Sequence, residues 1–281
     1  MTPPRAALSA LSTTAKYTIL IVTAGLLVFP FVWMIDASLM TSGEIQSRPP
    51  VWLPKTPQFS NYPELLDNLP LGRFYLNSLL VTGATVVGVL LTSSLAGYAF
   101  AKYQFPGRTF LFYLILATLM IPGFVTLIPV FFIVRQLGWI DNYMGLILPG
   151  ISSAYGVFFM RQFIYSIPDE LIDAARIDGA AELLIYWRII LPLTKPALAT
   201  LGTFVFIGAW NSFLWPLLVV NSRELYTVPL GLNSLRTFAA EARSLHLLVS
   251  GTVLSVIPTL ILFVFLQRYF IQGIALTGLK G

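Results

Sequence analysis

Six stretches of this chain carry no Asp, Glu, Lys or Arg: Tyr17–Ile35, Phe74–Ala101, Thr109–Val134, Asn142–Met160, Pro196–Ser222 and Ser244–Gln267. A helix needs roughly 18 to 20 apolar residues to cross the hydrocarbon core of a bilayer, and each window is at least about that long. In lipid every backbone N–H and C=O has to be satisfied inside the chain, which leaves helices as the spanning element. The windows predict an all-α polytopic membrane protein with six transmembrane helices. The first window resembles a signal peptide, but its apolar core is long and no small-residue cleavage site ends it, so it reads as a retained span. Composition agrees: 57% of the 281 residues are hydrophobic and 10% charged, against a charged fraction of about a quarter in soluble domains.

Lysine and arginine give the expected orientation. With the N-terminus inside, the inner segments hold Arg5, Lys16, Lys102, Arg108, Arg161, Arg176, Arg188, Lys195, Arg268 and Lys280, against seven such residues outside. The expected organisation is a cytoplasmic N-terminus (1–16), a first span (17–38), an extracytoplasmic segment (39–73), a five-helix core (74–271) and a cytoplasmic tail (272–281). The proline-rich part of that segment, around Pro49, Pro50, Pro54 and Pro57, reads as an external loop placed to meet a binding protein. The net charge of +5 follows from this inside bias and forms no basic stripe, so nucleic acid is not an expected partner. There is no cysteine and one histidine, His246, so neither a disulfide framework nor a metal site is expected.

Between two spans lies a polar, helix-forming insert from Ser166 to Pro196. Ser166 and Asp169 have the spacing of a capping box, and Pro168, Asp169 and Glu170 suit a first turn, so a helix is expected to start near Pro168. Leu171, Ala174, Ala175 and Asp178 then share a face of mostly small residues, and Gly179 is expected to end or bend that helix. A second helical piece should place Leu183, Trp187 and Ile190 on one side before Pro192 and Pro196 close the segment. The carboxylates here lack the dry pocket that acid–base catalysis needs, and no enzyme activity is expected. The result is a helix-turn-helix elbow at a membrane surface.

The run Asp173-Ala174-Ala175, then Gly179, then Ile189, Leu191 and Pro192, resembles the EAA loop of type I ABC-importer permeases: EAA, three residues, G, nine residues, I-x-LP. Asp173 stands where that family usually has Glu. Asn77-Ser78, Ala96 to Ala101, Pro122 and Pro129, Trp210-Asn211, Leu214 to Pro216, Gln267 to Phe270 and the closing Leu279-Lys280-Gly281 resemble its carbohydrate, maltose-type branch. The resemblance extends over nearly the whole chain and implies a non-catalytic permease of a bacterial or archaeal cell (inner) membrane, both termini cytoplasmic. It implies as partners a second permease, two ATP-binding subunits and an extracytoplasmic solute-binding protein, with the elbow as the coupling helix. It also implies that Leu279, Lys280 and Gly281 reach the ATPase interface. The chain has no Gly-Lys dipeptide for a P-loop, so no cofactor is expected on it; ATP and magnesium would be held by the partner ATPase.

None of the six windows contains Asp, Glu, Lys or Arg, which proton- and sodium-coupled carriers usually keep in the membrane, and this disfavours a self-sufficient secondary carrier. What the spans offer is Asn77, Ser78, Ser93, Ser94, Tyr98, Trp210, Asn211, Ser212 and Trp215. Amides and hydroxyls among aromatic rings suit a mono- or oligosaccharide, with Asn77, Ser93, Tyr98, Trp210, Asn211 and Trp215 the expected pathway residues. The plainer alternative is that they glue helices together or mark the lipid headgroup belt. Within the importer family the runner-up substrate is glycerol 3-phosphate or a related phosphodiester.

Overall fold

Membrane-spanning backbone has to bond to itself, and every described element is helical. The computed structural model describes the backbone of residues 5–239 and 244–278 and the side chains of residues 13–235 and 244–267. In order come α1 (Arg5–Ala37), α2 (Asn61–Asn68), α3 (Leu71–Lys102), α4 (Arg108–Thr118), α5 (Gly123–Gln136), α6 (Tyr143–Ile147) and α7 (Ala154–Tyr165). They are followed by α8 (Glu170–Ile177), α9 (Glu182–Ile185), α10 (Lys195–Trp210), α11 (Leu214–Val219), α12 (Val228–Ala239) and α13 (Leu245–Gly278), with shorter helical turns between some of them.

Three of the six windows are single helices, with Thr13–Ala37, Leu71–Lys102 and Leu245–Gln267 each long and apolar enough to cross a membrane. Three bent helix pairs supply the rest, two of them broken inside the third and fourth windows and the last joining the elbow's second piece to the helix of the fifth window. Arg108–Thr118 meets Gly123–Gln136 at 100°, Tyr143–Gly150 meets Ala154–Tyr165 at 43°, and Glu182–Leu193 meets Lys195–Trp210 at 78°. Six spans result when each bent pair counts as one. The breaks have local causes: Pro122 removes an N–H and pushes Ile121 out of helical geometry, and Pro149 falls in the short turn Leu148–Gly150. At the two ends α1 begins at Arg5 and α13 continues to Gly278, so residues 5–16 and 272–278 are helical.

The chain divides into two compact units, residues 1–69 with 232–255 and residues 70–231 with 256–281. In the first, part of the segment read as an external loop is built around buried Asn61, whose Nδ2 donates to Ser38 O at 2.8 Å and Met40 O at 3.0 Å. A capping box does occur in this chain, but here rather than in the elbow: Thr41 Oγ1 accepts from Glu44 N–H while the Glu44 carboxylate accepts from Thr41 N–H. His246 Nδ1 shares a 2.8 Å hydrogen bond with Ser42 Oγ. Among the described residues no three His, Cys, Asp or Glu side chains are grouped as a metal site requires.

The second unit is organised by α3, which packs against α7 and α10. Close approach depends on glycine. A Cβ on Gly156 would stand 2.2 Å from Ser93 Oγ, and one on Gly97 would stand 2.8 Å from Met160 Cβ and 2.9 Å from the Arg161 backbone nitrogen. At one end of this unit Asp141, at positive φ (56°), ties the α5–α6 loop to the chain after α11. Its Oδ1 accepts from the N–H groups of Asn221 (3.0 Å) and Ser222 (2.9 Å), and its Oδ2 accepts from Ser222 Oγ (2.7 Å). The Ser222 donors hold this carboxyl below its ordinary value. A depressed carboxyl stabilises the fold fully at neutral pH and loses that contribution as pH falls through its folded value, below about pH 4. Asp141→Asn tolerates the same backbone and is expected to flatten the acid side of the thermal-unfolding profile in detergent. Asp141→Ala should cost about 1 to 2 kcal/mol at pH 7 after allowance for solvent exposure. Identical acid limbs for wild type and Asp141→Asn would refute this.

Candidate functional site

The elbow folds as two short helices hinged at Gly179. Ser166 does not cap α8: it ends α7, its Oγ donating to Phe163 O, and Asp169 at the start of α8 makes no side-chain cap. The chain turn at Ile167-Pro168 separates the two residues of the expected box, so their spacing has no helical meaning. At the other end, Gly179 N–H donates to Arg176 O (3.0 Å) and Ala180 N–H to Ala175 O (2.9 Å), the paired bonds of a Schellman motif. That motif requires a left-handed residue, and Gly179 has φ +80°.

The second piece is not one regular helix. After Glu182–Ile185 the backbone widens into a π-helix over Tyr186–Ile190. The extra residue per turn shifts the faces, so Leu183 and Trp187 are exposed while Ile190 is buried, correcting the expectation that all three share a side. Ile172, Ile185, Tyr186 and Ile190 form the buried underside, packed in one cluster with Tyr98, Met160 and Leu201.

Of the expected coupling residues, Leu171, Asp173, Ala174, Asp178 and Gly179 are exposed and Ala175 is half-buried against the cluster. Ile189 and Leu191 also pack on that cluster, so they root the elbow rather than face outward, and Pro192 is exposed. Ile177, 87% exposed, joins Leu171, Leu183 and Trp187 as uncovered apolar surface. Leu279, Lys280 and Gly281 lie outside the described residues.

A polar clamp that the sequence reading missed joins the elbow to the end of α3. Lys102, with a side chain 5% exposed, donates to Ile167 O and forms an ion pair with Asp169. The carboxylate of Glu182 accepts from Arg176 Nε on Oε1 (2.7 Å), and on Oε2 from the hydroxyls of Tyr98 (3.3 Å) and Tyr103. Tyr186 and Ser94 share a 2.7 Å hydrogen bond between their hydroxyls. Tyr98 therefore serves this clamp and does not line the cavity described next. Ser94, Tyr98 and Lys102 recur every four residues on one α3 face, a signal that was available in the sequence.

That cavity, about 480 Å³, lies along the other half of α3. Ser78, Thr82 and Thr85 reach it from α3 at helical spacing, and Thr126, Ser212, Thr227 and the indole of Trp215 also line it. None of its lining side chains is ionisable. Thr227 is buried and its Oγ1 has no hydrogen-bond partner. Trp215 is the one expected pathway residue among the lining; its Nε1 donates to Gly145 O at 2.9 Å.

The other expected pathway residues are engaged elsewhere. Asn77 braces the chain, donating to Glu224 O and Tyr226 O at 2.8 and 2.9 Å and accepting from Tyr143 OH. Ser93 is sealed under Gly156. Trp210 is buried and stacked on Phe206 with ring centres 5.7 Å apart. Asn211 ends α10 with its Nδ2 bonded to Ile207 O. For Asn77, Trp210 and Asn211 the side chain's polar or aromatic capacity is used by its own fold, whereas the buried Ser93 Oγ has no hydrogen-bond partner.

Comparison with known proteins places this geometry. The family model "Binding-protein-dependent transport system inner membrane component" matches residues 79–276. An arabinooligosaccharides transport system permease protein, AraQ, of Bacillus subtilis is 39% identical over 260 residues, covering 91% of this chain and 92% of the relative. An sn-glycerol-3-phosphate transport system permease protein, UgpE, of Brucella suis is 36% identical over 267 residues, covering 92% and 94%. A chain in the crystal structure of a bacterial ABC transporter involved in import of the acidic polysaccharide alginate superposes with a TM-score of 0.81 at 26% identity, over 96% of this chain and 100% of that one. With most of its length matched by the family model and by relatives of this identity, the chain belongs to the family of binding-protein-dependent transport system inner membrane components.

Proposed function

We propose that this chain is one of two membrane subunits of an ATP-driven importer of neutral saccharides, working with a second permease, two ATP-binding subunits and an extracytoplasmic binding protein. The observation that carries the substrate class is the cavity. Its lining offers hydroxyls and an indole and no ionisable group, which matches a polyol that hydrogen-bonds at its edges and stacks on its faces. A phosphate ester would bring roughly two negative charges into that space with no cation from this subunit to meet them. The arabinooligosaccharide permease relative supports the same choice over glycerol 3-phosphate. The exposed elbow, with Leu171, Ala174, Asp178 and Gly179 on its surface, is the seat for an ATP-binding subunit, which supplies ATP and magnesium. This puts the elbow and both termini on the cytoplasmic side.

The test is reconstitution in liposomes with arabinotriose and sn-glycerol 3-phosphate as competing solutes. The chain alone should neither hydrolyse ATP nor accumulate either solute, and the full complex should accumulate arabinotriose with ATP. Trp215→Ala or Thr227→Val in the complex should raise the KM for uptake about tenfold, the effect of one lost ring or hydroxyl contact. ATP-independent uptake by the isolated chain would refute the importer reading; preference for glycerol 3-phosphate would refute the substrate class.

A further inference from the structure

We propose that Glu182 is a positioning residue that makes the elbow and the cavity-lining helix α3 move as one body. The inference rests on the importer reading above and adds a direct route by which elbow movement reaches the cavity. The elbow is joined covalently to α7 on one side and to α10 on the other, and neither joint includes α3. Yet α3 contributes Ser78, Val81, Thr82, Thr85 and Val89 to the cavity, more positions than any other helix. Displacement of the elbow reaches that wall by two routes, through α7 and α10, which pack along α3, and directly through contacts between the elbow and α3.

Those contacts are of two kinds. The apolar ones, Ile172 and Ile185 in one cluster with Tyr98 and Ala101, hold the parts together without fixing direction. The polar ones are directional: Tyr186 and Ser94 share one between their hydroxyls, and Glu182 takes two, while also being held from within the elbow. Its Oε1 is held by Arg176 of α8 at 2.7 Å, and its Oε2 takes the hydroxyls of Tyr98, on α3, and Tyr103, just beyond its end. Three parts of the chain thus meet at one carboxylate: the first elbow helix, the second, and the end of α3. The rings reinforce the geometry, since Tyr98 and Tyr103 pack edge to face at 5.2 Å and the Arg176 guanidinium stands 5.9 Å over Tyr103. Lys102, bonded to Ile167 and Asp169, fixes only the start of the elbow. From Tyr98 the unbroken helix α3 carries any shift about 14 Å to Val89, at the cavity.

The chain has no cysteine, so Thr85→Cys places a single thiol of this subunit on the α3 wall of the cavity. In the assembled complex, its rate of modification by methyl methanethiosulfonate is measured with and without ATP. Two variants are compared on this background: Tyr98→Phe with Tyr103→Phe, which keeps both rings, and Glu182→Gln. In both, capture of the ATP-binding subunits should persist while the ATP-dependent change in labelling shrinks at least about fivefold. A labelling change that stays within about twofold of the parent in the tyrosine variant overturns the proposal, even if Glu182→Gln is impaired, because the carboxylate then does not act through α3. Loss of ATPase capture in either variant overturns it too, since the cluster would then be shaping the docking surface. Failure of the parent chain itself to capture an ATPase would remove the importer reading, and this inference with it.

Discussion

Gly179→Val should reduce ATP-driven uptake by the assembled transporter at least tenfold while the chain still inserts and accumulates at its normal level, and Gly179→Asn should restore most of the activity. The residue has φ +80° and closes the Schellman motif that turns α8 toward α9. No atom lies within 4 Å of where its Cβ would stand, so a side chain meets no steric obstacle; the cost is in the backbone alone. A left-handed conformation costs an L-residue roughly 1 to 2 kcal/mol, and β-branching stiffens the side chain further, whereas asparagine adopts it readily. On an exposed elbow that cost is relieved by letting the turn open, which misplaces Leu171, Ala174 and Asp178 relative to Leu183 and Trp187. The measurements are uptake, ATPase pull-down and binding-protein-stimulated hydrolysis for both variants. Wild-type values of all three for Gly179→Val would show that the elbow is an ordinary connector.

Gly97→Val should fail at an earlier stage, in folding. The added Cβ would meet Met160 Cβ at 2.8 Å and the Arg161 backbone nitrogen at 2.9 Å, so α3 and α7 would have to separate at a close approach that includes backbone. Overpacking in such a crossing costs about 3 kcal/mol, enough to lower the yield of detergent-stable protein and its midpoint of thermal unfolding. Gly83, on the same helix with nothing within 4 Å of its Cβ position, is the control, and Gly83→Ala should be neutral or slightly stabilising. Equal midpoints for Gly97→Val and Gly83→Ala would mean that α3 and α7 are not in the tight register described.

The difference between these two glycines shows what was legible in the chain and what was not. Gly179 stands out in sequence because a helix-ending glycine is a local event: it follows a short amphipathic run and precedes another, and its role needs only its neighbours. Gly97 has no such mark, since the residue that makes it indispensable, Met160, is 63 positions away and only folding brings it near. The six charge-free windows determined an all-helical membrane protein because lipid permits little else. They did not reveal that the third and fourth are broken, since hydropathy sums over a window while a bend comes from single residues such as Pro122. The same division runs through the candidate site. The elbow's spacing, from Asp173 to Pro192, is a contiguous pattern and could be read directly. Which polar residues face a cavity depends on helix rotation and on partners far along the chain. Tertiary packing therefore turned Asn77 into a brace for the segment at Glu224 and Tyr226, Tyr98 into a donor to Glu182, and left Thr227 with its hydroxyl free at the cavity.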